Sequence, residues 1–416
     1  DFTAFPGSDV TIIGGEFMLN GSPVSDLSSG LSDGDVLTGT LADGSPFIFA
    51  DRIDFIDSGT TTLQTVPVAP ADTTPMTLTG GQGPSGLRAG QTLTVGGDAS
   101  LRNSFMAVNA SLNIEDGATV GYRLKAAGSD IVMTGGSVGA GAILIADSTL
   151  TISGGTIGSG LFAQDATINV RGGQVLNNEF FGSQNIRNST LNVTGGTIGD
   201  GFGASGTIDI SGGTIGDGFR ASGIVAISDG AIGDRFEASG TVNISGGTIG
   251  NNFNESDGTL NLTMTGGTIG DDATLSRPAS VAAISGGTIG DRFDIFGGTI
   301  DISGGTIGSG LNLDFGATAN ISGGVIGESI TLIEGTMNLF VLDATIDGAD
   351  LGLTLGDTFE ITQRGGELLE TTLADGSFFD LWLSDADVEH QDFIAQDATL
   401  TVTLVPAPGA AGLLGI

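Results

Sequence analysis

The stretch Thr241-Val242-Asn243-Ile244-Ser245-Gly246-Gly247-Thr248-Ile249-Gly250 decides the fold of this chain. It alternates polar and apolar residues up to the Gly pair, and its last six residues, Ser-Gly-Gly-Thr-Ile-Gly, recur unaltered elsewhere. The other copies lie at Ser153–Gly158, Ser211–Gly216, Ser285–Gly290 and Ser303–Gly308. With close variants included, the repeat returns every 17 to 20 residues, apart from one step of 23. A period this short, built from Gly, Thr, Ile and Val, predicts an all-β fold, a parallel β-solenoid.

Most repeats carry large apolar residues at three fixed positions. Around Thr248 these are Ile244, Ile249 and Phe253, and polar residues lie between them. Such alternation is typical of half-buried strands, so each coil is predicted to hold about three short strands with the Thr facing outward. The Gly pair is predicted to form one corner through a positive φ, and pairs such as Ser239-Gly240 another. Roughly 13 such coils lie between residues 78 and 338.

The two ends of the chain share a second motif. Thr40-Leu41-Ala42-Asp43-Gly44-Ser45-Pro46-Phe47 matches Thr372-Leu373-Ala374-Asp375-Gly376-Ser377-Phe378-Phe379, and a Val-Pro pair follows each, at Val66 and at Val405. We therefore predict related β-rich caps over residues 1–77 and 339–404, flanking a solenoid over residues 78–338. The caps would protect open sheet edges, or would act as head and tail contacts of a polymer.

The charge balance restricts the partners of the protein. The chain has 48 acidic and 12 basic residues, a net charge of −36, and Lys125 is its one lysine. Nucleic acids and anionic membranes are therefore not expected partners, because phosphate contacts need clustered Lys and Arg. The chain has no cysteine, which excludes disulfides and thiolate metal sites.

Residues 405–416 form an apolar tail that begins Val405-Pro406-Ala407-Pro408. This beginning resembles a PEP-CTERM-type bacterial sorting tail, although Ala407 stands where that motif has Glu, and no basic cluster follows. Together with the Ile-Ser-Gly-Gly-Thr coils, it resembles Gly-rich solenoid proteins exported by planctomycetes and marine bacteria. The resemblance implies a secreted or cell-surface bacterial protein that contacts a membrane only transiently, during export.

The tail is also the predicted assembly contact. An apolar terminus can become ordered by packing into a neighbouring subunit, in the manner of strand addition. The residues expected to make this contact are Val405, Pro406, Pro408, Leu413, Leu414 and Ile416. With the caps, the tail predicts a homopolymer built end to end.

A regular acidic ladder follows the repeat, three residues after the Thr position. Its central members are Asp200, Asp217, Asp234, Asn251, Asp271 and Asp291. Calcium takes such oxygen ligands, so it is the one candidate cofactor, although the calcium-binding nonapeptide of other β-rolls is missing. The alternative is a solvated corner in which Asp and Asn are chosen for turn geometry. No cofactor is required by the sequence.

Two further features could carry a function. One strand face carries a regular array of Thr, then Asn or Asp, then Ser, as at Thr207-Asp209-Ser211. Such arrays can bind ice or glycans. The alternative is that these side chains form hydrogen bonds between coils. A polysaccharide hydrolase would need a privileged carboxylate pair, which a repeated ladder does not provide. His390 is the single histidine, and Arg220, Arg235 and Arg292 are flanked by acidic residues.

These observations favour a non-enzymatic, extracellular structural protein that assembles end to end into a filament or surface matrix. The alternative is a surface adhesin or ligand-binding rod for glycan, calcium or ice. A polysaccharide-active enzyme is the third alternative.

Overall fold

The fold is that of a parallel β-solenoid of about 13 turns, as predicted. It is seen in a computed structural model that describes residues 9–27, 30–32, 34–50, 61–176, 185–385 and 392–407. These residues form strands, turns and loops, and none of them forms a helix. The chain divides into two compact units, Asp1–Thr207 and Ile208–Ile416.

The first unit contains a five-stranded N-terminal module and a series of solenoid coils. The module consists of β1 (Val10–Leu19), β2 (Ser22–Pro23), β3 (Val36–Leu41), β4 (Pro46–Ala50) and β5 (Thr61–Thr65). The coils consist of β6 (Met76–Gln82), β7 (Gly86–Leu87), β8 (Thr92–Leu101), β9 (Met106–Val108), β10 (Ser111–Ile114), β11 (Thr119–Val120), β12 (Lys125–Ala127), β13 (Asp130–Met133), β14 (Ser137–Val138), β15 (Ile143–Ile145), β16 (Thr149–Ile152), β17 (Thr156–Ile157), β18 (Phe162–Gln164), β19 (Thr167–Val175) and β20 (Ile186–Ile198).

The chain passes to the second unit along β21 (Gly203–Ile215). The coils of the second unit consist of β22 (Arg220–Ile232), β23 (Glu237–Ile244), β24 (Thr248–Ile249), β25 (Asn254–Ile269), β26 (Ala273–Leu275), β27 (Val281–Ile289), β28 (Phe293–Phe296), β29 (Thr299–Ile307), β30 (Leu311–Asp314), β31 (Thr318–Ile326) and β32 (Thr331–Leu332). The C-terminal module consists of β33 (Thr336–Ile346), β34 (Ala349–Asp350), β35 (Thr358–Glu360), β36 (Gly365–Leu373), β37 (Phe378–Ser384), β38 (Phe393–Ile394) and β39 (Thr399–Leu404).

Every coil contributes to three parallel sheets, here called A, B and C. In the coil that carries Thr248, sheet A contains Thr241–Ile244, sheet B contains Thr248–Ile249, and sheet C contains Glu237–Ser239. Equivalent residues of successive coils pair directly, as Thr248 does with Thr268, and Ile249 with Ile269. Identical side chains therefore stack along each sheet at a strand spacing of about 4.8 Å.

Apolar ladders fill the interior as predicted. Ile244, Ile249 and Phe253 are at most 3% exposed. The rings of Phe219 and Phe236 stack with centroids 5.3 Å apart, and those of Phe236 and Phe253 lie 5.4 Å apart. Because each coil has only a few residues on each side, stacking of neighbours provides the core that a single coil lacks.

The two glycines of the Gly pair have different roles in forming the corner. The second glycine has a positive φ, for example 75° at Gly247, as predicted. The first glycine, Gly246, has no positive φ; a Cβ there would lie 2.2 Å from the Ser228 carbonyl oxygen of the preceding coil. The pair therefore combines a left-handed residue with a close approach between coils. The second predicted corner also has a positive φ, 87° at Gly240.

The N-terminal module packs against the side of sheet C in its own unit. Ile48 and Ala50 of β4 bury an apolar outer face made of Val108, Ala127, Ile143, Ile145 and Phe162. These coils carry apolar residues on the outside of sheet C, and the module covers them. Its expected role as the cover of a solenoid end stays a prediction.

The C-terminal module extends the coil stack of the second unit. Strand β38 pairs in parallel with β32, and β39 pairs in parallel with β33, so residues 393–404 add solenoid strands beyond residue 338. The antiparallel hairpin β36–β37 is inserted between β33 and this last coil. Strand β35 then pairs antiparallel with β39, opposite Thr401–Thr403, and covers its edge.

The two modules share one topology, which explains the shared sequence motif. In each, a long strand pairs in parallel with the last strand and antiparallel with a hairpin: β1 with β5 and β3, β33 with β39 and β36. The hairpin turns match: Asp43 accepts the N–H of Ser45 at 2.9 Å, and Asp375 accepts that of Ser377 at 2.8 Å. The Val-Pro pairs match as well, since Val66 N–H donates to Gly14 and Val405 N–H to Val341.

Candidate functional site

The acidic ladder is a chain of hydrogen bonds between coils. In the second unit each side-chain Oδ1 accepts the backbone N–H of the same position in the next coil: Asp217 from Asp234 at 3.0 Å, Asp234 from Asn251 at 2.8 Å, and Asn251 from Asp271 at 2.9 Å. Asp271 and Asp291 accept in the same way from Asp291 and Ser309, at 2.9 and 2.8 Å. Asp and Asn are thus required as acceptors that reach across one strand spacing.

The last glycine of the hexapeptide makes room for this ladder. A Cβ on Gly250 would lie 2.4 Å from Asp234 Oδ1, and one on Gly290 would lie 2.3 Å from Asp271 Oδ1. Neither glycine has a positive φ. The position is therefore glycine because the acceptor of the preceding coil occupies the space of a side chain.

Calcium binding at the ladder stays a prediction. The ladder members Asp234, Asn251, Asp271 and Asp291 are exposed, and each uses Oδ1 for the backbone. Over the described ranges, no group of three or more His, Asp or Glu side chains is arranged to hold a metal ion. Asp200 lies at the equivalent corner in the first unit and is also exposed.

The polar face of sheet A is also linked from coil to coil. Asn320 Nδ2 donates to Asp301 at 2.7 Å, Asn338 Nδ2 donates to Asn320 at 2.9 Å, and Thr401 Oγ1 donates to Asn338 at 2.8 Å. Asn192 and Asn169 form a similar pair at 2.8 Å in the first unit. The array anticipated as a binding face thus satisfies much of its hydrogen bonding internally.

The three arginines near the acidic ladder form ion pairs with acidic side chains. Arg220 lies 2.9 Å from Glu237, Arg235 lies 3.7 Å from Asp217, and Arg292 contacts Asp272. All three arginines are half or more exposed. Surface pairs of this kind contribute little energy, and they leave no concentrated positive charge for an acidic sugar.

A cleft of about 830 Å³ lies between the N-terminal module and the corner that follows sheet C. The module contributes its Asn20-Gly21 turn and Asp35. The solenoid contributes corner residues of successive coils: Asn109, Gly128, Ala146, Asp147, Asp165 and Asn188. All of these corner residues have positive φ, between 47° and 61°. The Asn109 side chain fills the space beside Gly128, where a Cβ would lie 2.2 Å from its Oδ1, and Asp147, Asp165 and Asn188 supply carboxylates and an amide further along the row.

An ion pair lies in a neighbouring, smaller cavity, which shares Thr38 and Asn109 with the cleft. Arg88, which is 9% exposed, donates through Nη2 to both carboxylate oxygens of Glu16, at 3.2 and 3.0 Å. A hydrogen bond from Thr40, followed by the charge and hydrogen bond of Arg88, holds the pKa of Glu16 below its ordinary value despite partial burial. The pair joins β1 to the first solenoid coil across a smaller cavity of about 250 Å³.

Two anchors in the C-terminal module were not anticipated from the sequence. Asp392 accepts the N–H of Ile330 and that of Trp382, both at 2.8 Å, and so ties the last coils to the hairpin. Arg364 donates to the carbonyls of Ile361, Gln363, Ala395 and Ala398. Both residues stand outside the repeat, so spacing gives no signal; a lone Arg in an acidic module is the one available hint.

The tail and the histidine lie largely outside the described residues. Val405 and Pro406 are described, and Val405 continues the pairing of β39 with β33 through Val341. Pro408, Leu413, Leu414 and Ile416 lie outside the described residues, as does His390. The predicted assembly contact of the tail therefore stays a prediction. In the described part of the chain, no helix is long and apolar enough to cross a membrane.

Comparison with protein-family models, curated proteins and solved structures gives no match to this chain.

Proposed function

We propose that this chain is a non-enzymatic structural protein, exported by a bacterium, that assembles end to end into a filament or surface matrix. The observation that carries the proposal is that the repeated polar residues of the chain form hydrogen bonds between neighbouring coils. The acidic ladder accepts backbone N–H groups of the next coil, and the Asn ladder of sheet A bonds to itself. Residues repeated for the sake of coil stacking are those of a building element, whereas a catalyst needs one privileged set of groups.

The high negative charge suits this role. A chain of net charge −36 repels its copies at low ionic strength, which keeps a β-rich protein soluble until salt or a divalent cation screens the repulsion. Assembly is therefore expected to increase with ionic strength. Calcium would act as a general screening ion, or through the exposed second oxygens of the acidic ladder.

Electron microscopy of the purified protein tests the proposal. Samples at increasing concentration are compared in low salt, in high salt, and with calcium or a chelator. Filaments or ordered sheets that grow with concentration and salt are expected. Isolated particles under every condition would contradict the assembly role. Turnover of a polysaccharide that is lost with a single carboxylate substitution would contradict the non-enzymatic role.

The cleft of the first unit favours a second candidate, a ligand-binding rod. Its lining of amides, carboxylates and Arg187 offers donors and acceptors for a hydroxyl-rich ligand such as a glycan. Binding on a glycan array that is lost in Asp147→Ala but kept in Asp130→Ala would support it. Asp130 is a matched control because it is an exposed strand residue of the same unit and is not part of the lining.

A further inference from the structure

The strand neighbours of β33 show how the shared module joins a solenoid. Strand β31 pairs in parallel with one edge of β33, from Thr318 opposite Thr336 to Ile321 opposite Leu339. Strand β39 pairs with β33 over the same residues in parallel. The module's long strand is therefore a solenoid strand with one coil before it and one coil after it.

In the N-terminal module, the described strands provide the long strand β1 with a following neighbour, β5, and with the hairpin strand β3, but not with a preceding one. Ala42 N–H donates to Ile13 and Val66 N–H donates to Gly14; because consecutive carbonyls point to opposite edges, β3 and β5 lie on opposite edges of β1. Strand β3 begins its pairing only at Gly14. Within the described ranges, no strand lies beside Val10–Ile12 on the β3 edge, where β31 lies in the C-terminal module.

The burial of equivalent side chains differs between the two long strands. Gly14 pairs with Leu41, and Val341 pairs with Leu373, the equivalent leucine of the other hairpin. Gly14 is therefore equivalent to Val341. Counting back along each strand, Val10 corresponds to Met337 and Ile12 to Leu339. Met337 and Leu339 are fully buried, whereas Val10 and Ile12 keep part of their surface exposed. A solenoid strand added here would bury both side chains and satisfy the edge of β1.

The sequence of β1 is itself that of a solenoid strand. Gly7-Ser8-Asp9-Val10 matches Gly128-Ser129-Asp130-Ile131 with Val in place of Ile, and the latter leads into the sheet A strand β13. Thr11 corresponds to Asn338, a member of the polar ladder of sheet A. Strand β1 thus has the polar and apolar faces needed to stack on a preceding coil.

The last strand of the chain has the complementary gap. Gln396–Val402 repeats Gln164–Val170, with Leu400 for Ile168 and Thr401 for Asn169, and β19 of that segment carries a following strand, β20. Strand β39 has the same coil sequence, but its outer edge holds β35, which has three residues, all exposed. Backbone hydrogen bonds of Gly356 with Leu404 and of Ile361 with Leu400 extend this cover on both sides of β35, so the segment 356–361 must leave before the edge can pair with another strand.

We infer that β39 of one molecule pairs in parallel with β1 of a second copy, after β35 has left the β39 edge. The inference rests on the proposed end-to-end assembly and names its contact. Because Asn338 faces Thr401 and corresponds to Thr11, the register places Thr401 of one copy opposite Thr11 of the next. The contact is heterologous, so it continues from copy to copy. Strand β35 protects the free monomer from this pairing.

Disulfide trapping tests the register. Because the chain has no native cysteine, only the introduced cysteines can form a disulfide. Full chains carrying Thr11→Cys and Thr401→Cys are mixed under mild oxidation. The mixed disulfide between two molecules is expected as the main product, because directly opposite strand residues have the spacing that a disulfide needs. Thr399→Cys is the matched control; it lies two residues away on the same face and should trap Thr11→Cys poorly. Equal trapping by both, or Thr11→Cys homodimers as the main product, would overturn the inference.

A reversible lock on β35 tests the same contact independently. The hydroxyls of Thr358 and Thr403 lie 2.9 Å apart across β35 and β39, so a Thr358→Cys/Thr403→Cys pair should close a disulfide that holds β35 in place. The oxidised variant is expected to lose association in sedimentation velocity, and a reductant should restore it. Association of the locked variant at the wild-type level would overturn the inference while leaving the proposed assembly standing. Absence of association by the wild-type chain as well, with no trapped disulfide, would overturn both.

Discussion

The Oδ1 atom of Asp234 accepts a hydrogen bond from the backbone N–H of Asn251, one coil further along the chain, at 2.8 Å. The same relation links Asp217 to Asp234 and Asn251 to Asp271. The repeated acidic residue of this protein is therefore a structural acceptor. Because each member reaches the next coil, the ladder couples neighbouring coils along the corner, in addition to the pairing of the three sheets.

Removal of one ladder acceptor is expected to destabilise the second unit. Asp234→Ala leaves the Asn251 N–H without its acceptor and should cost about 1–2 kcal/mol, toward the lower end because the corner is exposed to water. Asp234→Asn keeps an acceptor oxygen and should remain near wild type. Denaturant melts followed by circular dichroism would measure both. Equal losses in the two variants would show that charge, and not the acceptor, matters at this position.

Enlargement of the last glycine of the hexapeptide is expected to disturb the same corner. Gly250→Ala places a methyl group 2.4 Å from Asp234 Oδ1 and 2.8 Å from the Asp234 nitrogen, so the coils must move apart. A loss of roughly 1–3 kcal/mol follows from such overpacking. Gly80→Ala is the control, because its Cβ would meet no atom within 4 Å and its φ is not positive. Thermal melts compare the two, and an equally mild effect in both would contradict the account.

Two carboxyl groups of the C-terminal module should make contributions to folding stability that change with pH in opposite directions. Burial raises the pKa of Asp392, outweighing the N–H groups of Trp382 and Ile330, so its contribution to stability is present at low pH and is lost as pH rises through its folded pKa. Burial also acts on Asp375, but hydrogen bonds from Ser377 and Gly324 prevail and lower its pKa. Its contribution is present above the unfolded pKa and is lost as pH falls through the folded pKa.

Asn substitutions separate these two effects. The stability difference between wild type and Asp392→Asn should shrink between about pH 3 and pH 7, whereas that between wild type and Asp375→Asn should grow. Trp382 is the single tryptophan of the chain and lies in the hairpin of this module, so its fluorescence reports module unfolding. Slopes of the same sign in the two variants would refute the assigned environments.

Truncation within the phenylalanine ladder should be far more costly than truncation at the surface. Phe236 is fully buried between Phe219 and Phe253, so Phe236→Ala should lose about 3–5 kcal/mol. Phe378→Ala is the control, since Phe378 is 63% exposed. Denaturation melts of the two variants provide the comparison. A small loss in Phe236→Ala would mean that the coils repack around the gap.

The solenoid was predictable from the repeat because every coil places the same residue types at its core positions and at its corners. Ile249 and Phe253 recur at core positions, and Gly247 recurs where a left-handed φ is needed. The match between Thr40–Phe47 and Thr372–Phe379 indicated that the end modules share one topology. The function of the acidic ladder was harder to assign, because a carboxylate that accepts a backbone N–H and one that binds calcium look alike in sequence.

Features that occur once could not be predicted in the same way. The packing of β4 against sheet C depends on outward-facing Val108, Ile145 and Phe162, which alternation alone places on a solvated face. The anchors Asp392 and Arg364 satisfy backbone groups of distant segments, and only the folded chain brings these together. The cleft likewise arises from the placement of the N-terminal module beside the corner row.

Sedimentation velocity of the full chain over a wide range of concentration tests the central claim, assembly into a structural polymer, most directly. A monomer is expected at low concentration and low salt, and progressively larger species are expected as concentration and ionic strength rise. A single monomeric species at every concentration and salt level would contradict assembly into a polymer.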